Sequence, residues 1–123
     1  MPILQVQVVL REGEVLAPGL ARAIANAAAS VFTSPPGGTW VRLASLSPAN
    51  YAEDGGGPPA GVNPVFVSVL KAHLQSAAEL SLECTELTRA IAGVVNRPPE
   101  NVHVTYEPDA AGRVSFGGKL VSG

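Results

Sequence analysis

Apolar and polar positions follow a period of two, then a helical period, and the chain runs through this order twice. In Pro2 to Leu10 (PILQVQVVL), Gln5 and Gln7 alternate with Leu4, Val6 and Val8, which predicts a mostly buried strand. From Ala17 to Phe32 the chain is alanine-rich, with Leu20, Ile24, Ala27 and Val31 at helical spacing. Pro18 falls near the first turn of that predicted helix, where its missing N–H costs nothing. Ser34 to Gly38 (SPPGG) ends the helix, and Thr39 to Leu46 (TWVRLASL) predicts a second strand. After the break at Gly55-Gly56-Gly57-Pro58-Pro59 the plan recurs. Asn63 to Lys71 reads as a strand, Glu79 to Val95 as a helix, Asn101 to Glu107 as a strand, and Gly112 to Val121 as a terminal strand or hairpin.

The two passes match in detail. MPILQVQVVL aligns with NPVFVSVLKA, with Pro2 and Pro64 62 positions apart, and the pairs Gly55-Gly56 and Gly117-Gly118 have the same separation. LARAIANAA (Leu20 to Ala28) aligns with LTRAIAGVV (Leu87 to Val95), SPP with RPP, and VRLAS (Val41 to Ser45) with VHVTY (Val102 to Tyr106). The expected fold is α+β: two pseudosymmetric βαβ units forming a four-stranded sheet with two helices on one face. The 123 residues make one domain, with repeat halves of about 1–62 and 63–123.

Composition adds one constraint and removes several classes. Charged residues are 15% of the chain, against roughly 25% in an average soluble domain. With a mean hydropathy of +0.25, this points to surface buried against other subunits, hence a homo-oligomer. The net charge of −2 and the lack of a basic run argue against nucleic acid. The chain has no apolar stretch of membrane length and no secretory leader pattern, so the expectation is a cytoplasmic protein with no membrane partner. Cys84 is alone, which excludes an internal disulfide, and no metal site is expected, His73 and His103 being far apart in sequence. Cys84 reads as a small packing residue, and the carboxylates Glu53, Asp54, Glu83 and Glu86 as solvated.

Pro2 is the residue whose position suggests chemistry. Removal of Met1 leaves it with a free secondary amine. An α-amino group has an ordinary pKa of about 8, and burial lowers it by disfavouring the cation. Such an amine can act as a general base near neutral pH. With Met1 retained, the Pro2 nitrogen is a tertiary amide and cannot be a base. Proline opening a strand also has a purely structural reading.

Proline at the second position followed by two βαβ units, with PILQVQVV, VRLAS, VHVTY and the closing FGGKLV in this order, resembles the tautomerase superfamily. The resemblance covers nearly the whole chain and is to the fused two-repeat type, which includes relatives of 4-oxalocrotonate tautomerase, 5-carboxymethyl-2-hydroxymuconate isomerase and macrophage migration inhibitory factor. It implies a trimer and a cofactor-independent tautomerase or isomerase acting on a small carboxylate-bearing substrate, a 2-hydroxydienoate or α-keto acid. The alternatives are a decarboxylase or hydratase of the same superfamily, or a non-catalytic oligomeric binding protein.

By position, the resemblance makes Pro2 the catalytic base and Arg42 the binder of a substrate carboxylate, which a guanidinium fork suits. His103 takes the matching place in the second half. Lys71 and His73 end the third strand near the pocket, and Phe116 supplies an apolar wall. Each of these also has an ordinary structural reading. Three departures stand out. Arg11 is one position away from the first-loop arginine of 4-oxalocrotonate tautomerase, Ser34 stands where the migration-inhibitory-factor pattern has lysine, and Lys71-Ala72-His73 does not match the paired arginines of the decarboxylase branch.

Overall fold

A computed structural model describes residues 2–122. In chain order the elements are β1 (Ile3–Val9), α1 (Leu20–Phe32), β2 (Trp40–Leu46), β3 (Val65–Leu70), α2 (Ala77–Val95), β4 (Val102–Tyr106), and the short pair β5 (Ser115–Phe116) and β6 (Lys119–Leu120). The sheet runs β2-β1-β3-β4, with β1 parallel to β2, β3 parallel to β4, and β1 antiparallel to β3 in the centre. This is the expected pair of βαβ units, both helices on one face.

The alternation in the strands sets the layering. Leu4, Val6 and Val8 of β1 and Val65, Val67 and Val69 of β3 are buried, and pack with Ile24 and Ala28 of α1 and Leu87, Ile91 and Val95 of α2. Each such side chain contributes about 1.5–3 kcal/mol when withdrawn from water. The intervening positions form a second face in register across the strands. Trp40, Ile3 and Leu70 make one row; Arg42, Gln5, Ser68 and Thr105 the next; Ala44, Gln7, Phe66 and His103 the third. No helix among the described residues covers this face. The β5–β6 hairpin reaches its edge, where Phe116 meets Trp40 edge-on at 5.2 Å.

Element ends follow local chemistry, with small departures from the sequence reading. Helix α1 begins at Leu20 because Gly19 before it is left-handed (φ 80°), so Pro18 lies in the preceding turn rather than inside the helix. Helix α2 begins two residues before Glu79. Ser76 accepts the Glu79 N–H at 3.3 Å and donates its hydroxyl to the Glu79 carboxylate at 2.8 Å, a reciprocal cap that holds the first turn. The terminal segment is a hairpin, whose two-residue turn, Gly117-Gly118, has both φ values positive (59° and 91°).

The internal repeat is real, but its register differs from the sequence alignment. Thr33 and Asn96 both end their helices in the left-handed conformation (φ 54° and 56°), each followed by a residue and two prolines, and they lie 63 positions apart. The same shift of 63 carries the pair Ile3–Trp40 onto Phe66–His103, and inward Leu4 and Val6 onto inward Val67 and Val69. A shift of 62 would put inward residues onto outward ones, because strand faces alternate at every residue. The helices had been aligned one turn out of step, a slip that leaves an apolar stripe intact. The counterpart of Arg42 is therefore Thr105, and His103 corresponds to Trp40.

At the Val9 end of the sheet, buried Arg97 ties the elements together. Its guanidinium contacts Glu14 at 2.7 and 3.2 Å and donates to the carbonyls of Val9, Asn63 and Val95. Arg11 donates to Glu14 and to the Asn96 carbonyl, so its work is at this junction. The Arg97 hydrogen bond, against some desolvation, holds the Glu14 carboxyl below its ordinary value.

Candidate active site

The end of the sheet opposite Arg97 gathers most of the residues singled out in the sequence. Pro2 is buried at the head of β1, and its carbonyl accepts the Trp40 N–H at 3.0 Å. Met1, on whose removal the amine chemistry depends, lies outside the described residues. On the uncovered face, Ile3, the residue after Pro2, lines a cavity of about 320 Å³ with Gln5, Arg42, Ser68, Leu70, Glu107 and Val114. Val114 belongs to the segment leading into the hairpin. Arg42 reaches this cavity because it alternates outward on β2, and among the described residues it forms no ion pair. A neighbouring hollow of about 300 Å³ continues past Gln5, Ser68 and Glu107 toward Phe66 and Thr105.

Lys71 does not join Arg42. One register step beyond Ile3–Leu70 it comes alongside Pro2, but the alternation of β3 sends its side chain to the helix side. There its ammonium contacts Glu83 at 2.7 Å and Gln75 at 2.9 Å and sits over the Phe32 ring, 5.2 Å from the centroid. The Glu83 carboxylate also accepts the Tyr106 hydroxyl at 2.9 Å and the Gln75 amide at 2.8 Å. Glu83, read as solvated, is in fact the buried centre of a network, its side chain 11% exposed. Burial, and then the bond to Glu83, push the Tyr106 phenol well above its ordinary value. Lys71 is thus a neutralised, held cation under the Pro2 end of the sheet rather than a free one in the cavity.

The two histidines lie on different elements, and neither lines the cavity with Arg42. His73 is exposed on the loop after β3, with Nδ1 3.7 Å from Asp109. His103 is on the uncovered face, two rows from the Pro2 end, its ring 5.6 Å from Phe66. Phe116 packs on Trp40 and does not line the cavity that holds Arg42. Sequence reading passed over Glu107, Ser68 and Gln5. Their only signal was being polar positions on alternating strands.

Among the described residues no group of three His, Cys, Asp or Glu side chains is placed to hold a metal ion, and no helix is long and apolar enough to cross a membrane. A larger cavity, about 570 Å³, lies elsewhere, between α2 and β4, and includes Cys84 and Tyr106.

No protein-family model matches the chain, and neither does any curated protein. Solved structures do. A macrophage migration inhibitory factor from Oncomelania hupensis is 21% identical over 98% of this chain and 81% of its own, with a TM-score of 0.68. A fused 4-OT, solved as an asymmetric trimer, is 17% identical over 94% of each chain, TM-score 0.71. Pt0534, solved after inactivation by 2-oxo-3-pentynoate, is 15% identical over 96% of this chain and 95% of its own, TM-score 0.73. Likeness at this identity establishes the fold: that of tautomerase-superfamily structures, of the fused two-repeat kind.

Proposed function

We propose that this protein is a cofactor-independent tautomerase in which Pro2, freed of Met1, is the general base and Arg42 holds the carboxylate of a small 2-hydroxydienoate or α-keto acid. The observation that carries this reading is that Ile3, bonded to Pro2, and Arg42 line one cavity. Arg42 is a cation without an internal carboxylate, as a carboxylate-binding residue must be. Burial at the strand head disfavours a cationic Pro2 amine, which favours a base working near neutral pH.

The chemistry needs one proton and no redox partner. The Pro2 nitrogen takes the proton of the 2-hydroxyl, the enolate electrons shift along the diene, and the proton returns to a chain carbon to give the 2-keto acid. Arg42 stabilises the negative charge that develops beside the carboxylate. His103 and Phe116 stand outside the lining of this cavity, the first two rows along the uncovered face and the second against Trp40, and His73 is peripheral. The protein works as a homotrimer: a fused 4-OT with the same fold is a trimer, and here one sheet face has no helix over it.

Three measurements test this. The intact mass of untagged protein from its own host should lack Met1, and its retention would end the proline-base reading. Exposure to 2-oxo-3-pentynoate, a conjugated ynone that a free amine attacks, should add one equivalent of mass to the Pro2 peptide. Pro2→Ala should lose the adduct and about 10²–10⁴ of kcat/KM for an enol acid, the usual span of general-base catalysis. Unchanged turnover by Pro2→Ala would remove Pro2 from the mechanism.

A further inference from the structure

Beside the cation of the cavity stands a carboxylate that the reaction above does not use. Glu107 follows β4, and its N–H donates to the Val69 carbonyl at 2.9 Å, so the strand pairing extends to it. Pro108 after it restricts Glu107 to extended backbone. The alternation of His103 and Thr105 then brings its side chain to the uncovered face, where it lines the cavity with Arg42. The Ser68 hydroxyl donates to its Oε1 at 2.8 Å and orients the group, leaving other lone pairs free. No cation among the described residues is within ion-pair distance of it. Lys71 is held by Glu83 on the opposite face, and Arg113 donates to the carbonyls of Pro108 and Asp109.

We infer that Glu107 is a specificity-determining residue, making the cavity take a monocarboxylate and reject a dicarboxylate. The inference rests on the assignment of Arg42 to the substrate carboxylate. Three strand spacings of about 4.8 Å, with an offset of one row, put the Arg42 and Glu107 main chains at the two sides of the sheet, roughly 16 Å apart across the strands. A small acid held by Arg42 directs its remaining groups across Gln5 and Ser68 toward Glu107. An uncharged end group meets no charge conflict there, whereas a second carboxylate meets a like charge with no counter-ion among the described residues of the chain, and such a juxtaposition is strongly unfavourable.

A matched substrate pair tests it: 2-hydroxyhexa-2,4-dienoate and its diacid, 2-hydroxyhexa-2,4-dienedioate. Wild type should favour the monoacid in kcat/KM by about tenfold or more, given the cost of like charges at close range. Glu107→Gln, which still accepts from Ser68, should shrink that ratio to about threefold or less, chiefly by lowering KM for the diacid. Glu107→Asp, which keeps the charge, should preserve the ratio. Equal use of the two acids by wild type, or a ratio unchanged in Glu107→Gln, would overturn the inference. Turnover of neither compound would defeat the Pro2 mechanism separately. Calorimetric titration with hexanoate and hexanedioate still reads Glu107: tighter hexanoate binding that disappears in Glu107→Gln supports it, and equal affinities or no binding of either overturns it.

Discussion

Two charged side chains, Arg97 and the Glu83 that the sequence presents as solvated, tie elements of the structure together. Arg97 is 5% exposed, and its removal would leave three main-chain carbonyls without this donor and Glu14 with Arg11 alone. Breaking such a pair costs about 3–5 kcal/mol when fully buried, and Glu14 is partly exposed, so Arg97→Ala should lose about 3 kcal/mol in urea unfolding. Glu14 adds a pH dependence. Its folded carboxyl lies below the ordinary value of 4.5, so its contribution is complete above that pH and is lost as pH falls through the folded value. Glu14→Gln should therefore flatten the acid limb of a stability–pH curve, and an unaltered limb would show that other carboxylates govern it. Neither role could be read from the sequence, since Glu14 and Arg97 are 83 residues apart and meet only when β1 and α2 share a junction.

At the scale of elements, the Lys71–Glu83–Tyr106 network joins the end of β3, the middle of α2 and the end of β4. Tyr106→Phe removes one bond to a carboxylate while keeping the ring in the core. It should cost about 1.5–3 kcal/mol by denaturant titration, the value of a hydrogen bond to a charged group. A loss below about 0.5 kcal/mol would mean that water replaces the hydroxyl. Element identities were legible because both periods are strong: β1, α1, β2, β3, α2 and β4 were all anticipated, with ends displaced by one to three residues. The displacements trace to single residues, Gly19 at the head of α1 and Ser76 at the head of α2. The repeat was legible in order but not in register. Matching prolines and glycines suggested one shift, and only strand pairing revealed the parity that excludes it.

For the whole molecule, the low charge content acquires a location. Trp40, Phe66, Ile3 and Leu70 alternate with Arg42, Gln5 and Gln7 on a face no helix covers, with Trp40 51% exposed. Light scattering should give three times the chain mass, and Phe66→Lys, in the third row of that face, should shift the protein toward monomer. A monomeric wild type would remove the assembly and require the apolar face to be explained otherwise.

The sequence by itself determined the fold, because alternation, helical period and their repetition specify which faces must be buried and in what order. It also singled out Pro2 and Arg42, one by its place in the chain and the other through a family resemblance. Tertiary structure decided which side of the sheet each candidate serves. One residue of register is enough to send Lys71 beneath the sheet to Glu83 while Arg42 and Glu107 face one cavity above it. That allocation depends on strand pairing and on residues distant in the chain, and neither is written in local pattern.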